Sequence, residues 1–173
     1  MRWMWIDRII ELEPRQRLVA IKHISLAEEH LHDHFTAEPD QGLAAAPTMP
    51  ACFIIEGMAQ SAGILVGHAG QFKEKVVLAK VSKVNLSEDA APGDSLRYTA
   101  TITRMDDIGA QTQGVVELIP PGDNDQPREI GKIDLMFSHL DNNMGGQKFP
   151  EHNFVFSDSF RTLLTSSGIA ADF

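Results

Sequence analysis

Cysteine is nearly absent: Cys52 is the only one in 173 residues, which excludes an internal disulfide framework and a multi-cysteine zinc site. Cations are outnumbered, with 15 Lys and Arg against 24 Asp and Glu, for a formal net charge of −9 and no long basic run. Neutralising phosphates requires a basic face, so this balance argues against a nucleic-acid partner. Long hydrophobic runs are also missing. The longest uncharged stretch, residues 57–72, is 16 residues and includes Gln60, Ser61, His68 and Gln71. A spanning helix needs about 20 mostly apolar residues, so no membrane segment is expected. The opening MRWMWIDRIIELEP mixes charges among its apolar residues and lacks the clean apolar segment of a signal peptide. No internal repeat or low-complexity tract occurs. These absences lead us to expect a soluble, cytoplasmic protein with one main domain, burying roughly 70% of its unfolded surface.

What the chain does have is periodicity. Trp3, Trp5 and residues 9–12 predict a short helix or strand ended by Pro14, and residues 17–24 (RLVAIKHI) predict a half-buried strand. A polar, His-rich loop and an Ala/Gly/Pro stretch follow. From Pro50 the pattern changes: Phe53, Ile54, Ile55, Met58, Ala59, Ala62, Ile64, Leu65 and Val66 cover nearly the whole circumference of a helix. A helix apolar all round is a buried helix, and His68 and Gly70 mark its end. Pro50 suits the first turn, where its missing donor has no intrahelical partner. Strands are predicted over residues 76–86, 96–102, 111–119 and 129–140, with a turn at Pro92-Gly93 and a hairpin loop at PPGDNDQP. One apolar helix followed by antiparallel strands is an α+β pattern, a sheet wrapped around a helix, whose open edges favour dimerisation. Residues 1–140 form this domain. The C-terminal extension, residues 141–173, holds five of the nine Phe residues. Such aromatic content predicts packing on the domain or on a partner subunit.

Glu56 is the odd residue of the apolar helix. A carboxylate there has to be paired, neutralised or turned toward a cavity. Gln60, four residues on, shares its face and is placed to orient it; an exposed edge or a structural ion pair explains Glu56 equally well. His30, His32 and His34 alternate in a way that invites a metal reading, and His32-x-His34-x-x-x-Glu38 matches part of the cupin motif. The glycines of that motif are missing and cupins are all-β, so we read three surface loop histidines and expect no metal.

The stretches His34-Phe35-Thr36-Ala37-Glu38-Pro39, Thr48-Met49-Pro50-Ala51 and Cys52-Phe53-Ile54-Ile55-Glu56-Gly57-Met58-Ala59-Gln60-Ser61-Ala62-Gly63-Ile64-Leu65 resemble the β-hydroxyacyl-ACP dehydratases of fatty-acid synthesis. Their pattern is HFPGxPxMPG followed by a helix reading xxIEAMAQxxGIL, and the resemblance spans about residues 3–140. It implies a hotdog fold, an antiparallel sheet around a long central helix, with subunits paired edge to edge as a homodimer or higher even oligomer. It implies dehydration of a 3-hydroxyacyl thioester carried on acyl carrier protein, without cofactor or metal. Carried over by position, His34 matches the catalytic histidine and Glu56 the catalytic acid, meeting across the dimer interface. The backbone amides of Ala51 and Cys52 match the thioester-oxygen site. We assign Phe35, Ala51, Cys52 and Gln60 to substrate binding, with Cys52 as a small buried hydrophobe. Thr36-Ala37 stand where the pattern has Pro-Gly, Asp33 replaces the glycine usual before the histidine, and Ala51 replaces the glycine after Pro50. Residues 40–47 (DQGLAAAP) are an insertion, either a tolerated surface loop or a lid over the acyl chain. Residues 73–104 carry six basic side chains against four acidic ones, a surface suited to an acidic carrier or simply a solvated face. Two other readings stay open: a hotdog acyl-CoA thioesterase or hydratase, and a non-catalytic acyl-binding hotdog subunit.

Overall fold

The computed structural model describes residues 3–32, 36–122, 126–140 and 149–171. Strands β1 (Arg8–Glu13) and β2 (Arg17–His23) precede a short helix α1 (Glu29–His32) and the long helix α2 (Ala51–Ala69). Strands β3 (Val76–Leu86), β4 (Ser95–Asp106), β5 (Gly109–Ile119) and β6 (Arg128–His139) follow, and helix α3 (Asp158–Ser166) closes the described chain. The strands form one six-stranded sheet in the order β1-β2-β4-β5-β6-β3, with every pairing antiparallel.

Alternation explains how the sheet meets the helix. Leu96, Tyr98 and Ala100 on β4 and Val116 and Leu118 on β5 are buried, while the intervening Arg97, Thr101 and Glu117 point outward. The inner row faces α2, whose Met58, Ala62, Ile64 and Leu65 are inaccessible to solvent. By length and composition α2 would cross a bilayer, yet most of its surface is taken up by the protein itself. This is the α+β hotdog architecture, a sheet wrapped around a central helix.

The β4–β5 hairpin runs further than the alternation indicates. Asp106 Oδ1 accepts hydrogen bonds from the amides of Ile108 and Gly109, closing a tight turn that lets the two strands pair to its tip. Pro50 lies just before α2 rather than within it, with ψ of 136°. The His-rich segment is helical at Glu29–His32, and His30 is not a surface loop residue: it is 9% exposed, with its ring 5.0 Å from those of Trp5 and Phe53.

The segment after residue 148 lies on the same chain. Asn153 Nδ2 donates to the carbonyls of Phe72 and Glu74 at 2.9 and 3.1 Å, tying it to the end of α2. Phe156, Leu163 and Leu164 join the core, and Ser167 Oγ accepts from the Ile9 amide of β1. Phe156 packs edge-on to Phe72 with centroids 5.0 Å apart. Its ring also fills the place a side chain at Gly67 would take, with Cε2 2.8 Å from where a Cβ would stand. Glycine at position 67 is therefore what admits the aromatic ring to the helix surface.

Candidate active site

Glu56 sits on the first half of α2, half-buried, where the N-terminal segment crosses the helix. Its Oε1 accepts two hydrogen bonds, from Trp3 Nε1 at 3.1 Å and from Gln60 Nε2 at 3.0 Å. Gln60 is buried and uses both ends of its amide: Oε1 accepts from the Trp5 amide at 2.9 Å, and Nε2 also donates to the Trp3 carbonyl at 3.1 Å. The shared helix face thus orients the carboxylate, and Glu56 has no ion pair among the described residues. An aromatic wall stands beside it. Trp5 stacks on Phe53 at 3.9 Å with planes 10° apart, and Trp3 meets both edge-on at 5.4 and 5.7 Å. Sequence periodicity places Trp3 and Trp5 only in a strand or helix. Their role at this carboxylate had no local signal beyond the closeness of two tryptophans in the chain.

Directly behind Glu56, helix and sheet touch. A Cβ on Gly57 would lie 2.6 Å from both Cζ and Oη of Tyr98 and 2.9 Å from the Trp5 carbonyl. Tyr98 is fully buried, and burial, followed by the nearby Asp7 charge, raises its phenol well above the usual range, so it stays protonated. Its hydroxyl has no hydrogen-bond partner among the described residues. The dehydratase pattern has alanine where this chain has Gly57, and Tyr98 occupies the space the methyl group would need. Gly57→Ala is therefore expected to destabilise the fold by about 1–3 kcal/mol through overpacking, despite the gain of about 1 kcal/mol in helix propensity. Urea unfolding checks this, and an unchanged midpoint would refute the close contact.

The amides of Ala51 and Cys52 open the helix. Phe53 and Ile54 donate back to the Pro50 carbonyl, whereas residues 51 and 52 precede the ladder and have no intrahelical acceptor. A pocket of about 240 Å³ lies beside this end, lined by Ala51, Ile54, Leu86, Ser87, Glu88 and Asp89. Cys52 is exposed, not a buried hydrophobe: two residues before the buried Ile54, it lies on the opposite side of the first turn of α2. His34 and Phe35 lie outside the described residues. Residues 36–46 of the loop holding the insertion are exposed, and Pro47 is half-buried.

The basic stretch at residues 73–104 shrinks on folding. Lys75 is 4% exposed, and Arg97 donates Nε and Nη2 to Glu117, each at 2.7 Å. Those bonds hold the Glu117 carboxyl below its usual range. Arg104 pairs with Asp106, which leaves Lys73, Lys80 and Lys83 as exposed cations of this stretch without an ion pair among the described residues. Among the described residues, no three His, Cys, Asp or Glu side chains converge as metal ligands.

Comparison with known proteins agrees with the fold and gives the family. A family described as FabA-like domain matches residues 2–118. The 3-hydroxyacyl-[acyl-carrier-protein] dehydratase FabZ of Halalkalibacterium halodurans is 29% identical over 137 residues, 79% of this chain and 87% of that protein. Its counterpart in Listeria monocytogenes serotype 4b is 32% identical over 122 residues, 70% of this chain and 78% of the relative. Among solved structures, the dehydratase heterocomplex ApeI:P from Xenorhabdus doucetiae superposes with a TM-score of 0.57 at 16% identity, covering 79% of this chain and 83% of that one. With the family match running through both the N-terminal strands and the whole of α2, this chain belongs to the FabA-like family.

Proposed function

We propose that the protein is a cytoplasmic dehydratase that converts 3-hydroxyacyl thioesters on acyl carrier protein into trans-2-enoyl thioesters. The observation that carries this reading is the Glu56 carboxyl: one oxygen is held by two N–H donors, the other is without a partner among the described residues, and aromatic rings wall the site. Carboxyl groups against apolar walls serve as proton donors. His34 takes the α-proton as base, since imidazole titrates near neutrality. Glu56 protonates the departing β-hydroxyl, which leaves as water as the carbon–carbon double bond forms. The base then returns its proton to the carboxylate through solvent, and both groups are reset. Charge that gathers on the thioester oxygen meets the Ala51 and Cys52 amides and the positive end of α2.

The site is shared between two subunits, His34 from one and Glu56 from the other. The sheet edge at β3 supports such a homodimer. Leu78, Val81 and Val84 are about two-fifths exposed there, on a strand that among the described residues pairs only on its β6 side. The carrier protein delivers the acyl chain to the N-terminal end of α2. The decisive experiment follows enoyl absorbance during dehydration of a 3-hydroxyacyl thioester by the wild type and by His34→Ala. The wild type is expected to turn over on the carrier-protein thioester, and His34→Ala to lose at least about 100-fold. Equal activity in the two would overturn the assignment of the base.

A further inference from the structure

Trp3 is an anomaly for an exposed aromatic. It is 57% exposed, yet its indole N–H and its backbone carbonyl both engage the same pair of side chains, Glu56 and Gln60. The amide of Gln60 is locked in one orientation, because its oxygen is required by the Trp5 amide and its nitrogen by the Trp3 carbonyl. Both N–H donors to the carboxyl, from Trp3 and Gln60, converge on Oε1, and among the described residues Oε2 accepts none.

That asymmetry has a chemical consequence. In a neutral carboxylic acid one oxygen is a carbonyl, an acceptor only, and the other carries the proton and donates. An oxygen that receives two N–H groups at 3.0–3.1 Å is the carbonyl oxygen, since a hydroxyl hydrogen there would point at other hydrogens. When Glu56 acts as the acid, its proton is therefore carried on Oε2, which accepts no hydrogen bond among the described residues. With only one donor, the carboxyl is freer to rotate about its terminal torsion and to carry its proton on the wrong side.

We propose that Trp3 is a positioning residue for proton donation: with Gln60 it holds Glu56 so that Oε2 is the oxygen that delivers the proton to the leaving hydroxyl. The inference rests on the reading of Glu56 as the acid. Gln60 supplies one donor from within the helix. Trp3 supplies the other from the N-terminal segment, 53 positions away in the chain, and its ring is held in place by edge contacts with Trp5 and Phe53.

Trp3→Phe is the informative substitution, because it keeps an aromatic ring against Trp5 and Phe53 and removes only the N–H donor. Dehydration kinetics of a 3-hydroxyacyl thioester are measured for the wild type, Trp3→Phe, Glu56→Gln and the double variant, after circular dichroism has established that all are folded. Trp3→Phe is expected to lower kcat about fivefold to tenfold, the size of one hydrogen bond, with KM unchanged within about twofold. In the Glu56→Gln background, which has no carboxylic proton to place, the same change is expected to leave the residual rate unaltered. A wild-type kcat in Trp3→Phe overturns the proposal. So does a rise in KM at constant kcat, which would make Trp3 a substrate contact, and so does an equal loss in both backgrounds, which would make it structural. A folded wild type without turnover overturns the dehydratase reading and this inference together, whereas an active wild type with an indifferent Trp3→Phe overturns this inference alone.

Discussion

Glu56→Gln is expected to remove nearly all dehydration, by roughly a hundred- to ten-thousand-fold in kcat, while binding of the acyl thioester is retained. The substitution is close to isosteric. The glutamine amide oxygen still accepts from Trp3 Nε1 and Gln60 Nε2, as Oε1 does now, so the local packing survives. What disappears is the transferable proton on the second oxygen. Enoyl absorbance gives the rate, and calorimetry with a non-hydrolysable substrate analogue gives the affinity. Retained turnover would exclude Glu56 as the acid. A wild type that releases free thiol without forming an enoyl product would instead identify a thioester hydrolase, in which the same carboxylate activates water.

The second large effect concerns stability. Phe156→Ala is expected to destabilise the protein by about 3–5 kcal/mol, the range for emptying a buried aromatic site. Phe156 is 5% exposed and fills the hollow above Gly67 between Phe72 and Phe160, where glycine has no side chain with which to close the gap. Phe154, two residues earlier, is 44% exposed and serves as the control: its replacement by Ala should cost less than about 1 kcal/mol. Urea unfolding of the two variants measures the difference. Equal midpoints would mean that the C-terminal segment contributes no folding energy through Phe156.

Strand β4 was legible because only one of its faces is covered by the core. That geometry writes a period of two into β4, where Leu96, Tyr98 and Ala100 alternate with Arg97, Thr99 and Thr101. The central helix was legible for the opposite reason, having apolar residues all round because the protein covers most of it. The family motif lay on that helix, so the α+β hotdog class and the candidate carboxylate could both be named from residues alone. His30 and Cys52 were misplaced for one shared reason. A polar residue in a short segment carries no periodic signal of burial, and neither does a small residue in a first helical turn, so position relative to other elements decides each case. His30 went inward against Trp5 and Phe53, and Cys52 went outward.

Neighbours within a few residues were enough to determine the apolar circumference of the core helix, the alternation of β4, and the sharing of one face of that helix by a carboxylate and an amide. Tertiary structure alone decided what stands against that face. Trp3 reaches Glu56 across 53 positions, Tyr98 takes the space at Gly57 across 41, and Phe156 takes the space at Gly67 across 89. Local periodicity records that a surface is buried, and it carries no record of the distant segment that buries it.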